Sequence, residues 1–316
     1  MSVPAVSVVI PCHNAEAWIG ETIASVAIQE GVAVEAIVVD DGSEDAGADA
    51  ARAAAGHLPL AIIRQPRGGA SRARNAGTRA ASGAFVQYLD ADDVLLPGTL
   101  ARRIDALSGG GDVAYCDWIR WEAGPGGAYH DGETVARTLG GRPEIDLLLD
   151  AWWPPGALLF RRTLVERILP WREDLPVIQD ARFLQDAALA GAVFVHVPHT
   201  GLRYRSHPDS LSRRDSKAFV DDVYRNGLDL QAAWERDGSL DEDRRRCLVR
   251  IYSHVARAVF ARDRAAFDEV VARLKALEPG YVPDGPAALR AVAQVVGYPR
   301  AEYVAAAWRR LKLAAR

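Results

Sequence analysis

Four short apolar runs punctuate the first hundred positions, and a stretch with helical spacing follows each of the first three. Val6–Ile10 (VSVVI) is apolar and largely β-branched and ends at Pro11, which predicts a buried parallel strand. Between Glu16 and about Ile28, the side chains of Trp18, Ile19, Ile23 and Val26 recur at helical spacing. Glu35–Asp40 (EAIVVD) predicts a second strand, which runs into Asp40-Asp41-Gly42-Ser43 and then an Ala-rich helix. Leu60–Arg64 (LAIIR) predicts a third, after which Gly68-Gly69 opens a helix of small residues reaching about Ala81. Phe85–Leu89 (FVQYL) predicts a fourth and delivers Asp90-Ala91-Asp92-Asp93, with Pro97 where the next helix should start. Strands alternating with helices at this interval predict βα units and a mainly parallel sheet flanked by helices. Ligands of such sheets bind beyond the carboxyl ends of the strands. Both acidic clusters fall there, so residues 1–107 read as a nucleotide-binding half.

Past residue 107 the pattern loosens. Val113–Ile119 predicts a strand and the Gly-rich stretch 124–141 a loop. Trp152-Trp153-Pro154-Pro155-Gly156 breaks the chain before a strand at Ala157–Arg161. A helix is expected from Asp180 to Ala190, then short strands at Ala192–Val197 and Gly201–Tyr204, so 108–215 forms a second half. Residues 216–316 read as a helical extension, in which Phe267, Val270, Val271, Leu274 and Leu277 share one face.

Composition narrows the partners. The 316 residues allow one large domain or two modest ones, and a net charge of −4 supplies no basic field for nucleic acid. Three scattered cysteines, Cys12, Cys116 and Cys247, argue against a disulfide framework and fit a reducing cytoplasm. Val3–Ile10 is too short and lacks the basic start of a secretory signal, and no apolar stretch approaches the roughly 20 residues that span a bilayer. The chain is therefore expected to be cytoplasmic, at most peripheral on the inner face of the membrane. Trp308, Leu311 and Leu313 interleaved with Arg309, Arg310 and Lys312 offer a basic C-terminal segment for such contact. The alternative is that this segment packs on the helical bundle with its charges in water. The C-terminal helices are equally candidates for forming a homodimer or shaping the acceptor site.

Three segments carry candidate chemistry. Asp90 and Asp92 follow a strand and are two residues apart, a spacing that in extended chain points both carboxylates to one side. Hard divalent cations, Mg²⁺ or Mn²⁺, prefer such oxygens and share their coordination with phosphates. The plainer reading is a solvated turn before a helix. Asp40-Asp41-Gly42-Ser43 is either a turn or a carboxylate meeting a base or ribose. Gly68–Gly77 combines small residues with Arg72 and Arg74, which suits either tight helix packing or a phosphate.

These pieces together resemble the family 2 glycosyltransferases, inverting enzymes of the GT-A fold. The resemblance rests on Val8-Val9-Ile10-Pro11-Cys12-His13-Asn14, Val38-Val39-Asp40-Asp41-Gly42-Ser43, Ala73-Arg74-Asn75-Ala76-Gly77 and Gly83 through Asp93, in that order and spacing. It implies a nucleotide-diphosphate sugar donor, a UDP-sugar foremost, and a carbohydrate or lipid-linked acceptor. Pro11, His13, Asn14, Asp40, Asp41, Arg74, Asp90 and Ala91 would then contact the donor, and Asp92 with Asp90 would bind the metal. The family usually carries Glu-Asp at the start of an acceptor-side helix, with the Asp as general base. Here the pair reads Gln179-Asp180, so Asp180 is carried over as base, with Gln179 at the acceptor. Arg205 and Ser212 resemble residues that close over the diphosphate, and His207 is a candidate third metal ligand. Trp152 and Trp153 are candidates for stacking on an acceptor sugar, and a buried aromatic pair before a turn is the alternative. A sugar nucleotidyltransferase and an inactive, carbohydrate-binding relative are the competing readings.

Overall fold

A computed structural model describes residues 5–149, 151–207, 216–283 and 287–314, with 308–314 as backbone only. They fall into two compact units, Met1–Ser216 and Lys217–Arg316. The first opens with β1 (Val6–Cys12), α1 (Ile19–Ala27), β2 (Val34–Asp41), α2 (Gly47–Ala54), β3 (Leu60–Gln65), α3 (Ala70–Ala80) and β4 (Phe85–Tyr88). It continues with β5 (Val94–Leu95), α4 (Thr99–Leu107), β6 (Val113–Ala123), β7 (Tyr129–Val135), α5 (Pro143–Leu149), β8 (Leu158–Arg161), α6 (Arg162–Ile168), α7 (Gln179–Leu189) and β9 (Phe194–Ser206).

One nine-stranded sheet runs through the whole unit in the order β3-β2-β1-β4-β8-β6-β9-β5, with β7 added on β6. The neighbours β3, β2, β1 and β4 pair in parallel, as the alternating pattern predicts. Beyond β4 the sheet is mixed, since β8 runs antiparallel to β4 and to β6, and only β6 and β9 are parallel. The reason lies in the connections: α5 and α6 flank β8, and no single crossover helix returns the chain to the same direction. Val8, Val9, Ile10, Val38 and Val39 are fully buried between the helical layers, which is why these strands are continuously apolar.

Two expectations give way. The stretch 124–141 holds a tight turn and then β7, which pairs antiparallel with β6 from Trp118↔Val135 to Ala123↔Tyr129. Nearly every β7 residue is exposed, so no apolar alternation marks it, and cross-strand pairing supplies what propensity does not. The two short strands expected at 192–204 are one strand, β9, whose pairing with β6 shifts register on either side of Asp117.

The second unit contains α8 (Ser216–Arg236), α9 (Glu242–Val259), α10 (Arg264–Leu277), α11 (Ala287–Val296) and α12 (Tyr298–Ala314). Phe267, Val270, Val271, Leu274 and Leu277 are all buried, and α10 packs along α9. Among the described residues no helix is long and apolar enough to cross a membrane. The side chains from Trp308 onward, including the basic tail, lie outside the described residues.

Helix α3 sits tight against the sheet because Gly77 lacks a side chain. A Cβ there would come within 2.4 Å of Val9 Cγ1 and 3.1 Å of Val39 Cγ2, both on stiff, buried β-branched residues. Gly77→Ala is therefore expected to lower stability by about 1–3 kcal/mol despite alanine's better helix propensity. Urea denaturation checks it, and unchanged stability would mean that α3 can lift from the sheet freely.

Candidate active site

The parallel strands deliver their carboxyl ends to one edge, and the loops there are tied to one another. Asp40 accepts the Ser43 N–H at 2.8 Å and lies 3.2 Å from the Arg64 guanidinium. Asp41 accepts from Gln65 Nε2 at 2.7 Å and from the backbone N–H groups of Gly68 and Gly69 at 2.9 and 2.7 Å. Gly69 stands at φ +88°, a conformation that suits glycine and lets both amides face one carboxylate. His13 Nδ1 lies 3.1 Å from Asp41 O, and Asn14 accepts the Glu44 N–H at 2.9 Å and donates its own N–H to Ser43 Oγ. Pro11 lies within β1. Both carboxylates are nearly buried, at 3 % and 4 % exposure, so this corner is a braced floor.

The acidic turn after β4 is the centre of the site. It is a turn closed by the Asp93 N–H on Asp90 O at 3.1 Å, which replaces the extended spacing expected for Asp90 and Asp92. Ala91 is buried and its carbonyl accepts from Thr22 Oγ1 at 2.9 Å, which anchors the turn to α1. Asp90 Oδ1 lies 2.5 Å from Arg74 Nη2, while Arg74 Nη1 donates to Gln179 Oε1 at 3.0 Å. The Arg74 guanidinium also lies over the Trp171 ring, 4.6 Å from its centroid. Ser71, Arg74 and Asn75 thus form one face of α3 that holds the 171–179 segment, since Asn75 bonds Trp171 through both its amide groups.

On the other side, Arg205 of β9 clamps the same turn. Its backbone N–H donates to Asp93 Oδ1 at 2.9 Å and its Nε to Asp92 O at 2.7 Å. Its Nη2 meets Glu21 Oε2 at 2.5 Å, and its guanidinium lies over the rings of Trp121 and Tyr129, 4.1 and 4.4 Å from their centroids. Arg205 is 3 % exposed, so the group expected to face the diphosphate is committed to protein partners. His207 Nε2 lies 2.8 Å from Asp92 Oδ2, and its ring packs on Trp18 at 4.8 Å.

Asp180 occupies the first turn of α7. Its Oδ1 accepts the Ala181 N–H at 2.8 Å and its Oδ2 accepts from Trp152 Nε1 at 2.9 Å. Trp152 meets Trp118 and Tyr204 edge to face, at 6.1 and 5.6 Å. Trp153 is a correction to the sequence reading: at 1 % exposure, packed on Tyr115 and Trp118, it presents no face to an acceptor. Gln179 is likewise buried and spent on Ser71, Arg74 and Pro176 O. Ser212 lies outside the described residues. Glu21, Trp121 and Tyr129 carry no motif signal in the sequence, because each reaches the site only through long-range pairing.

The carboxylates act on one another. Burial raises the Asp90 pKa above its ordinary value, Arg74 opposes this, and the charges of Asp92 and Asp180 add to it. Burial raises Asp93 well above its ordinary 3.8, reinforced by Asp92 and Asp90 against the Arg205 contacts, and its Oδ2 is buried without a hydrogen-bond partner. The Tyr204 hydroxyl is raised by burial first and then by Asp93, Asp90, Asp180 and Asp92, which sets this ring among all four. Among the described residues no group of three His, Cys, Asp or Glu side chains is arranged to hold a metal by itself, and Asp90, Asp92 and His207 are no exception. Asp92 and Asp90 nevertheless fit a hard cation whose remaining ligands come from a phosphate-bearing substrate. The donor set is oxygen, and the carboxylate repulsion that adds to burial at Asp90 is what a cation relieves.

A raised folded-state pKa means that the native state holds a proton the unfolded chain has released. The stability from Asp93 is thus full below pH 3.8 and is lost as pH rises through the folded value, by up to about 1.4 kcal/mol per pH unit. In chelator, wild type is expected to lose stability relative to Asp93→Asn as pH rises above about 4. Thermal melts across pH check this; a gain of wild type over the variant in that range would contradict the neutral carboxyl.

Comparison with known proteins places this geometry. The model of "Glycosyl transferase family 2" matches residues 7–168, about half of the chain. "Uncharacterized glycosyltransferase EpsJ" of Bacillus subtilis is 30% identical over 230 residues, which cover 70% of this chain and 66%, about two thirds, of EpsJ. The structure of S. aureus TarS 1-349 in complex with UDP superposes with a TM-score of 0.60 at 18% identity, covering 96% of this chain and 91% of that one. The mannosyltransferase PcManGT of Pyrobaculum calidifontis, in complex with GDP-Man and Mn²⁺, gives 0.51 at 19% identity over 98% of this chain and 88% of that one. These structural likenesses are of fold. With the family match they fix the class: the chain belongs to glycosyl transferase family 2.

Proposed function

We propose that the protein transfers a sugar from a nucleotide diphosphate donor to an acceptor hydroxyl with inversion at the anomeric carbon, with Asp180 as general base. The observation that carries this is that Arg74 bridges Asp90 and Gln179, the residue before Asp180, which brings the start of α7 to the acidic turn although the two are some ninety residues apart in sequence. A base and a diphosphate-binding turn must face one another across the anomeric carbon if a single displacement is to occur. Support for the donor class comes from the relatives, one solved with UDP and one with GDP-Man and Mn²⁺.

In this reading the donor half is 1–107 and the acceptor half 108–215. The braced loops of Asp40, Asp41, His13 and Asn14 form the floor under the nucleoside. Arg74 orients Asp90 toward the ribose or ion. Asp180 Oδ2 takes the acceptor's hydroxyl proton as that oxygen bonds to the anomeric carbon. The bond from that carbon to the diphosphate oxygen breaks, and its electron pair leaves with the nucleoside diphosphate. A divalent ion, Mn²⁺ or Mg²⁺, held by Asp92 with Asp90 beside it would neutralise the charge developing on the leaving group. His207, paired with Asp92, orients that carboxylate. The acceptor is a carbohydrate or lipid-linked hydroxyl.

Thermal shift with UDP, GDP, dTDP and CDP, each with and without Mn²⁺, tests the donor site. One nucleotide is expected to raise the melting temperature in a metal-dependent manner, and Asp92→Ala is expected to abolish the effect. No shift with any nucleotide would refute the donor reading. With the donor so identified, Asp180→Asn is expected to bind the nucleotide as wild type does while losing on the order of 10²–10⁴ in sugar transfer. Transfer at the wild-type rate would remove Asp180 from the chemistry.

A further inference from the structure

The indole of Trp152 does not face outward as a free stacking surface. Its Nε1 donates to Asp180 Oδ2 at 2.9 Å, and the ring is wedged edge to face between Trp118 and Tyr204. Trp118 is 3 % exposed and Tyr204 is braced on β9, so the indole has little room to rotate. The other oxygen of Asp180 is bonded to the backbone N–H of Ala181. The carboxylate is therefore held at both oxygens, once by its own helix and once from outside it. The Ala181 bond holds Oδ1 to the helix backbone, and the Trp152 bond supplies the second point that defines the carboxylate plane.

We propose that Trp152 is a positioning residue for the reaction. Its N–H fixes the plane of the Asp180 carboxylate so that one lone pair of Oδ2 remains aimed at the incoming hydroxyl. The inference rests on the reading of Asp180 as base. A carboxylate oxygen offers two lone-pair sites, so accepting the indole proton leaves a second site for the substrate proton. A neutral, single-donor N–H suits this task. A lysine or arginine at 152 would pair with Asp180 as a full charge and weaken it as a base. The edge-to-face neighbours also explain why a tryptophan serves here and a serine would not. The donor atom lies at the end of a rigid bicycle whose orientation is set by packing and does not depend on rotamer choice.

Trp152→Phe keeps a ring in the wedge and removes the donor. The first readout needs no ligand. In ¹⁵N-labelled protein the Trp152 indole resonance, assigned by its loss in Trp152→Phe, is expected to move upfield in Asp180→Ala further than any other tryptophan signal. A resonance unmoved by that substitution would show that the hydrogen bond is absent in solution, and would overturn the proposal. The second readout is release of nucleoside diphosphate from the sugar nucleotide of the base identified by the melts, with water in place of the acceptor. Trp152→Phe is expected to release it about tenfold more slowly than wild type while binding the nucleotide with Mn²⁺ as tightly. In the Asp180→Ala background the same change is expected to cost less than about twofold, because a residue acting only through Asp180 has nothing left to act on. Equal losses in both backgrounds, or a loss explained by weaker nucleotide binding, would make Trp152 a structural or binding residue and overturn the proposal. Undiminished release by Asp180→Ala alone would sink the base reading itself, a failure distinct from that of the hydrogen bond.

Discussion

The site is organised around one electrostatic problem, the crowding of Asp90, Asp92, Asp93 and Asp180 at the carboxyl edge of the sheet. Burial raises the cost of ionising Asp90 and Asp93, and the neighbouring carboxylates add to it. The fold answers with two buried guanidiniums from opposite directions. Arg74 comes from α3, beneath the sheet edge, and Arg205 comes from β9, the strand that returns across it. Much of the surrounding architecture follows from holding those two groups. Gly77 lets α3 lie close enough for Arg74 to reach Asp90, and Trp171 covers its guanidinium. The β6–β7 hairpin places Trp121 and Tyr129 against Arg205, and Glu21 of α1 completes its charge. An arginine with a planar guanidinium that stacks and bonds in several directions at once is needed at both places.

The first four strands were legible because their physics is local. A buried parallel strand must be continuously apolar, so Val6–Ile10 and Glu35–Asp40 declare themselves, and the acidic residues that end such strands fall at the ligand edge by topology. The second half was legible only in part. Strand β7 exists through pairing with β6, and its sequence, Tyr-His-Asp-Gly-Glu-Thr-Val, has almost no buried position to reveal it. The contact between Trp152 and Asp180 spans 28 residues and that between Glu21 and Arg205 spans 184, distances at which periodicity carries no information. Trp152 and Trp153 look alike in sequence. The turn into the short helical segment at Pro155 sends the second ring into the core and leaves the first at the site.

Gln179 shows how one substitution in a motif changes the charge balance. Its Oε1 takes hydrogen bonds from Ser71 and Arg74, where the family usually has a carboxylate. A carboxylate there would draw the Arg74 charge away from Asp90. The amide accepts the same hydrogen bond without competing for the charge, so Arg74 stays paired with Asp90. The geometry of the segment is preserved, because Gln also donates to Pro176 O and keeps the start of α7 in place beneath Asp180.

The same accounting bears on how an anionic donor can bind here. Arg205 is neutralised by Glu21 and Arg74 by Asp90, and both are nearly buried. What remains facing the cleft is Asp92 with His207 and Asp180, with Asp93 driven toward its neutral form. A diphosphate approaching the Asp90–Asp93 turn meets carboxylate oxygen, and the two arginines that brace this turn are already paired. Coulomb repulsion at such separations, in a partly desolvated cleft, amounts to several kcal/mol. Either the ion pairs open to release a guanidinium, leaving Asp90 or Glu21 unpaired, or a cation enters with the diphosphate. The second route leaves both arginine ion pairs intact. It also reduces the carboxylate repulsion that adds to burial at Asp90, so ion and donor would stabilise the turn together.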